Sequence, residues 1–492
     1  MKQLLQDQRT GEMLLADLPS PAADERSVII QNAVSLLMTE IQPQTFNKSY
    51  LTFGGSCSGT VIAIGKDVQN FQVGDRVACY NAKSGVHAEL VHVPNKQVVV
   101  IPEKISYQEA AFLYPYMLCL SAHELADVGL GSVVFVFGMD LIGQLLCQVL
   151  RSSGVHVIVA DAREEYVDKL REQGIEAFLL DKNFSKTVFD ALKDITLDAV
   201  FFAPSFSYIQ RSLDKLPSVR KVILFNSVRD MIPRAGISYH MLDINKPFDL
   251  SQIVSGGNNP VFTKSLHMLF RLIETGRIQI SDLVPHRYSI SDISRSSKMI
   301  AGHLQQPFHA VLLIYPQGAH EQSRRIELKP EDRHEQSQTA LNMGLIFTGE
   351  QSRFSVFDKL SGFGNICFRT VSSPTGIRAL EFGKLYGFDY CTTNPGEILN
   401  DREIGALVVL NEGMDDLDLC MQAISTQKKI FFECLVLPDK ERLNQLIQVY
   451  QNAKATRNLF PQIMIGFFRR YTVLIKKLKD AFQERKSALT LN

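Results

Sequence analysis

The run Gly138-Met139-Asp140-Leu141-Ile142-Gly143, followed by Asp161, has the spacing that dinucleotide chemistry asks for. Such a site needs a strand, a G-x-G-x-x-G turn, a helix, and an acid at the end of the next strand. Gly138 and Gly143 stand where the first and third glycines belong. Asp161 comes about 20 residues later, where a carboxylate takes a ribose hydroxyl of NAD and disfavours the phosphate of NADP. The second glycine is replaced by Asp140. There the backbone must approach the pyrophosphate at a helix N-terminus that favours anions. A carboxylate is wrong in size and in sign. Two like charges about 4 Å apart repel by about 4 kcal/mol at an effective dielectric of about 20, which is up to about three decades of affinity. Without a phosphate to compete, the same acid is a good helix cap. The candidate cofactor-binding residues are therefore Gly138, Asp140, Leu141, Ile142, Gly143 and Asp161. The candidate cofactor is NAD or NADP, held weakly or lost.

Other reactive side chains are less organised. The eight cysteines are scattered singly, with no C-x-x-C pair, which speaks against a zinc ribbon or a disulfide framework and for reduced thiols in a cytosol. A catalytic zinc needs three protein ligands and an open position; Cys57 and His87 supply two at most, so no metal is expected. Tyr114, Tyr116 and His123 are the proton donors nearest a domain junction, and each reads better as packing. No catalytic residue stands out.

The elements around these residues change style twice. Val28–Gln31, Gly59–Gly65, Asp75–Tyr80 and His87–Val93 are short β-rich runs separated by Gly, Asn and Lys. From Gly131 strands alternate with helices: Val133–Phe137, Ile142–Ser152, Val155–Ala160 and Glu164–Gln173, then strands at Ala199–Ala203 and Lys221–Phe225. That rhythm implies a parallel sheet with crossovers. The short-strand style returns after Leu283 and ends at Ala310–Tyr315. Pro316 to Thr339 is polar and charged and reads as a linker. A second alternation follows, with strands at Met343–Thr348, Ile366–Val371, Ala406–Leu410, Lys429–Phe432 and Gln462–Gly466 and helices at Asp416–Ser425 and Asp439–Ala453.

Length and composition agree. The chain has 492 residues, enough for about three domains. With 52 Lys+Arg against 52 Asp+Glu, it lacks the basic excess that nucleic acid requires. Its 45% apolar content argues against disorder. The N-terminus has no signal-peptide core. The longest apolar run, Ser132 to Leu150, contains Asp140, Gln144 and Gln148, so no membrane span is expected.

The run Gly59-Thr-Val-Ile-Ala-Ile-Gly65, with Val73-Gly74-Asp75-Arg76-Val77, His87-Ala-Glu-Leu, Ile101-Pro102-Glu103 and Glu109-Ala110-Ala111, resembles the GroES-like domain of the medium-chain dehydrogenase/reductase superfamily. The resemblance covers residues 1 to about 316. Zinc-dependent members carry a cysteine where this chain has Ser35-Leu-Leu-Met-Thr-Glu40 and a histidine near Gly54-Gly-Ser-Cys-Ser-Gly59; neither is present. The opening, Met1-Lys-Gln-Leu-Leu-Gln-Asp-Gln-Arg-Thr-Gly-Glu-Met13, resembles bacterial bi-domain oxidoreductases, which join such a dehydrogenase to a domain of the glucose-fructose oxidoreductase/inositol dehydrogenase (Gfo/Idh/MocA) family. That resemblance implies a setting in cell-surface polysaccharide biosynthesis.

The C-terminal residues 341–480 resemble the cofactor half of that second family through Gly387-Phe-Asp-Tyr-Cys-Thr-Thr, Glu397 to Ala406, Lys429 to Leu435 and Gly466-Phe-Phe-Arg-Arg-Tyr471. Measured against the family, Phe347 replaces the first glycine of the turn and Glu350 adds charge beside Gly349. Glu433-Cys434-Leu435 stands for Glu-Lys-Pro, Asp416 for a histidine, and Phe468 for an asparagine. Gly349 and Glu433 remain as a weak second cofactor site. The family's substrate-binding sheet should follow Tyr471, where only a short tail remains. That tail sets Tyr471, Leu474, Leu478 and Phe482 at helical spacing among Lys476, Lys477, Lys479, Arg485 and Lys486.

These readings predict an α/β protein. A GroES-like β-rich domain spans 1–122 plus 285–316, a first Rossmann-like domain 123–284, a polar linker 317–340, a second Rossmann-like domain 341–475, and a basic amphipathic tail 476–492. The expected role is a degenerate dehydrogenase-like partner or scaffold in the cytoplasm, bound to another protein or to itself through surfaces that include the tail. If catalytic, the protein would be a zinc-independent NAD(P)-dependent oxidoreductase working through its first Rossmann domain.

Overall fold

The computed structural model describes residues 1–38, 50–81, 85–180, 195–204, 209–216, 218–225, 236–242, 260–281, 286–304, 310–318, 323–328, 340–347, 362–410, 417–426, 428–433, 439–457 and 462–466, with isolated positions between them. The chain divides into two compact units. One holds Met1–Asp17 and Ala23–His320, the other Leu18–Ala22 and Glu321–Asn492.

The first unit begins with a β-rich part centred on the 12-residue strand Ser27–Met38. This strand pairs antiparallel with Gly55–Ile64 on one side and with Ala310–Ile314 on the other. Chain from both ends of the unit therefore builds one sheet. The strand is longer than the expected Val28–Gln31 because register shifts at Ile29/Ile30 and Asn32/Val34 let it bend and stay paired.

Between those two contributions lies helix α1 (Leu113–Ala126) and then a six-stranded parallel sheet. Its strands are β1 (Val133–Phe137), β2 (His156–Asp161), β3 (Glu176–Leu179), β4 (Leu197–Phe202), β5 (Val219–Phe225) and β6 (Ser238–Leu242). Their spatial order is β3-β2-β1-β4-β5-β6, the doubly wound order that opens a crevice where the winding reverses, beside β1. The apolar runs follow from burial on both faces. Val134 and Val136 of β1 enter one core with Val157, Val159 and Phe201. Phe135 and Phe137, pointing the other way, enter a second core with Ile158, Val200 and Phe202. Helix α2 (Leu141–Ser152) turns Leu141, Ile142, Leu145, Leu146, Val149 and Leu150 inward as one stripe. Helix α3 (Glu164–Glu172) follows β2.

The second unit contains β7 (Arg325–Glu327), β8 (Leu341–Phe347), β9 (Ile366–Ser372), β10 (Tyr390–Thr392), β11 (Ala406–Leu410), β12 (Lys429–Phe432) and β13 (Ile463–Ile465). The order is β7-β10-β9-β8-β11-β12-β13. Apart from β7, which pairs antiparallel with β10, the neighbours are parallel. β7 falls inside the stretch read as a linker. Its high charge hid a strand whose Arg325 lies over the Tyr390 ring, 3.9 Å from its centroid. No helix among the described residues is long and apolar enough to cross a membrane. The basic tail apart from Lys477, together with Asp416, Cys434, Leu435, Gly349, Glu350 and Phe468, lies outside the described residues.

Candidate functional site

The expected turn forms at the C-terminal end of β1. Gly138 has φ +88, a conformation that side chains with a Cβ resist. A Cβ at Gly143 would stand 2.1 Å from the Gly138 carbonyl oxygen. The two glycines are therefore needed for the strand to meet the helix, whatever the crevice binds. Asp140, between them, has φ -67 and ψ -176, which any residue adopts, so the backbone does not require glycine there.

Asp140 is fully buried and caps α2, its Oδ1 accepting from Gly143 N at 2.9 Å. Asp161 ends β2 as expected. Its Oδ2 accepts from Met139 N at 2.6 Å. Two backbone donors of the turn are thus held by the protein's own carboxylates. Leu141 and Ile142 pack their side chains wholly in the core, so either would meet a ligand through its backbone alone.

Arg163 is a residue that sequence reasoning missed. Its Nε donates to Asp161 Oδ1 at 2.7 Å, its Nη2 to Oδ2 at 2.8 Å, and its backbone N to Oδ1 at 2.9 Å. The guanidinium also lies 4.3 Å from the Tyr166 ring centroid. Burial lowers its pKa, but the Asp161 hydrogen bonds and charge outweigh that and raise it. The signal was local: an arginine two residues after the acid that ends the second strand is well placed to meet that carboxylate.

The β-rich part holds a second polar constellation. Tyr315 Oη and Ser35 Oγ lie 2.9 Å apart, Ser35 Oγ and His87 Nδ1 2.8 Å, and His87 Nε2 and the Gly54 carbonyl 3.3 Å. The carbonyl can only accept, so Nε2 carries the proton, Nδ1 accepts from Ser35, and Ser35 accepts from Tyr315. Burial drives the His87 pKa down to about 4, against a small upward pull from Gly54. Cys57, the imagined partner of His87, instead faces Cys79 across two strands at 3.1 Å. Among the described residues no three His, Cys, Asp or Glu side chains gather as a metal site.

Tyr114 and Tyr116 lie buried in α1, Tyr114 stacked on Tyr80 with centroids 3.8 Å apart. His123 is half-buried, and burial lowers its pKa. In the second unit Phe347 ends β8 at 1% exposure, its ring 5.4 Å from that of Phe382. Glu433 follows β12, its N donating to the Val409 carbonyl at 2.9 Å.

A glycine turn on a doubly wound sheet, carried beside a β-rich domain that the chain enters twice, defines a dehydrogenase-type oxidoreductase fold. The comparisons with known proteins agree. Residues 25–103 match the alcohol dehydrogenase GroES-like domain. A probable quinone oxidoreductase of Schizosaccharomyces pombe is 26% identical over 314 residues, covering 60% of this chain and 93% of that protein. An (R,R)-butanediol dehydrogenase of Neisseria gonorrhoeae is 23% identical, over 49% of this chain and 75% of its own. Galactitol-1-phosphate dehydrogenase of Escherichia coli superposes with a TM-score of 0.54 at 18% identity, covering 64% of this chain and all of that one. An E. coli alcohol dehydrogenase structure, complexed with cofactor NADH, gives 0.52 over 64% of this chain at 18% identity. The N-terminal 60% of the chain is thus related to the medium-chain dehydrogenase/reductase oxidoreductases.

Proposed function

We propose that the protein is a degenerate dehydrogenase-like partner or scaffold whose first dinucleotide crevice is occupied by its own carboxylates. The observation that carries this reading is the pairing of Met139 N with Asp161 and of Gly143 N with Asp140. A pyrophosphate entering the turn must displace Asp140 from a buried cap and accept its charge as a neighbour. The second unit is a relative of the Gfo/Idh/MocA cofactor half, a reading supported by its strand order and by the motifs from Gly387 to Ala406. Its Phe347 fills the place of the first turn glycine. Cell-surface polysaccharide biosynthesis is the setting that the bi-domain resemblance favours, and another protein or a second copy of this chain is the expected partner.

Calorimetric titration with NADH and NADPH tests the reading. The native protein should give no binding heat at millimolar nucleotide. Asp140→Gly should gain nucleotide binding while hydride-transfer activity stays undetectable. Micromolar binding by the native protein would overturn the proposal.

That outcome would establish the second reading, a zinc-independent NAD(P)H oxidoreductase. Gly138, Gly143 and Asp161 favour it, because they are assembled in the geometry such a crevice uses. There Asp161 would hold the ribose, or Arg163, released from it, a 2′-phosphate. Hydride transfer from the nicotinamide needs no metal where the pocket polarises the acceptor by hydrogen bonds.

A further inference from the structure

A separate cavity of about 350 Å³ lies along α2 and α3, bordered by the loop after the helix Pro260–Glu274. Its size is at the lower end of small-molecule pockets, roughly 300–1,000 Å³. Helix α2 runs from the glycine turn back to the start of β2, and Arg151 is in its last turn. Arg151 therefore sits at the end of the sheet away from the turn.

The lining is charged with one sign. Arg151, Lys169 and Arg277 all face it, and no Asp or Glu is among its described lining residues. The dipoles of α2 and α3 account for cations near their C-termini. They do not account for Arg277, which a loop brings to the same place. That loop is fixed: Gln279 N donates to Gln148 Oε1 at 2.8 Å, and Gln148 Nε2 donates to the Gln279 carbonyl at 3.1 Å. The charge is also felt inside. Burial pushes the Cys147 thiol on the cavity floor up to about 12, and Arg151 opposes that rise. Two guanidinium forks and an ammonium around one small cavity suit the oxygens of a phosphoryl group, which arginine binds in pairs of hydrogen bonds.

We propose that this cavity binds a small phosphorylated anion, at a site distinct from the dinucleotide crevice. The test is calorimetric titration of the full chain with inorganic pyrophosphate at low salt. Saturable one-to-one binding is expected. The double variant Arg151→Gln/Arg277→Gln should bind at least about tenfold more weakly, a loss of about 1.4 kcal/mol, with an unchanged melting temperature, since both side chains are exposed. Asp140→Gly should leave the pyrophosphate affinity of the cavity as it was. Absence of saturation, equal binding by the double variant, or binding strengthened only by Asp140→Gly would overturn the proposal. The last result would place the phosphate at the turn. Citrate binding as tightly as pyrophosphate would overturn the phosphoryl preference.

Discussion

The six parallel strands of each unit follow one spatial order, but the chain leaves the first strands differently. In the first unit β1 runs into Gly138, a capping acid and Gly143, held by backbone contacts that only glycines allow. In the second unit β8 ends in a buried phenylalanine packed on Phe382. Strand order rests on apolar side chains spread over many residues, so it tolerates change at a turn. The turn itself rests on a few close approaches. A fold can therefore persist where the residues after its first strand differ.

The largest test of this contrast is a pair of glycine substitutions. In Gly143→Ala the new methyl meets the Gly138 carbonyl oxygen at 2.1 Å, and backbone must move. In Gly344→Ala, inside β8, it meets Ile398 Cγ2 at 2.5 Å, a side chain that can rotate. Overpacking against a rigid neighbour should cost about 3 kcal/mol at Gly143 and under half of that at Gly344. Hydrogen exchange of β1 and β8 amides reads each unit separately. Equal losses would mean that the two first strands are equally constrained.

Acid should separate the units next. His87 is buried neutral, with its pKa lowered from 6.5 to about 4. Above pH 6.5 it is neutral whether folded or not and adds no pH dependence. As pH falls from 6.5 towards about 4, only the unfolded chain takes the proton, and the first unit loses up to about 3 kcal/mol. The described part of the second unit contains no histidine. Its Asp401 is raised by burial but lowered overall by the Glu403 N–H and by Arg369. The stability it contributes is present above its ordinary value of 3.8 and is lost only as pH falls below that. Hydrogen exchange of the two sheets between pH 7 and 4 should show the first weakening alone, and His87→Gln should flatten its response. Parallel weakening of both sheets would break the distinction.

What could be read from sequence follows the same division. The turn, its cap and Asp161 were legible because glycine spacing and strand ends are local. The His87 constellation was not. Ser35 and His87 are separated by 52 positions and Ser35 and Tyr315 by 280. The pairing of Leu90–Pro94 with the strand Ser27–Met38 brings His87 to Ser35, and the return of Ala310–Ile314 to that strand brings Tyr315. Strand β7 was hidden for a related reason: its charged residues suit an edge strand as well as a linker, and only the pairing with β10 decides. Arg163 stood in plain view, but its attachment to Asp161 depends on how the chain turns after β2.

The smallest expected change in stability is the most informative about the crevice. Asp140→Asn keeps a side-chain oxygen able to cap Gly143 N, and Asn and Asp cap about equally, so stability should change by only a few tenths of a kcal/mol. The carboxylate charge is removed, while nearly all the side-chain volume stays. If charge closes the turn, Asp140→Asn should gain NADH affinity much as Asp140→Gly does, to at most about three decades by the Coulomb argument. If volume closes it, only the glycine variant gains. Titrating NADH into both variants decides between them.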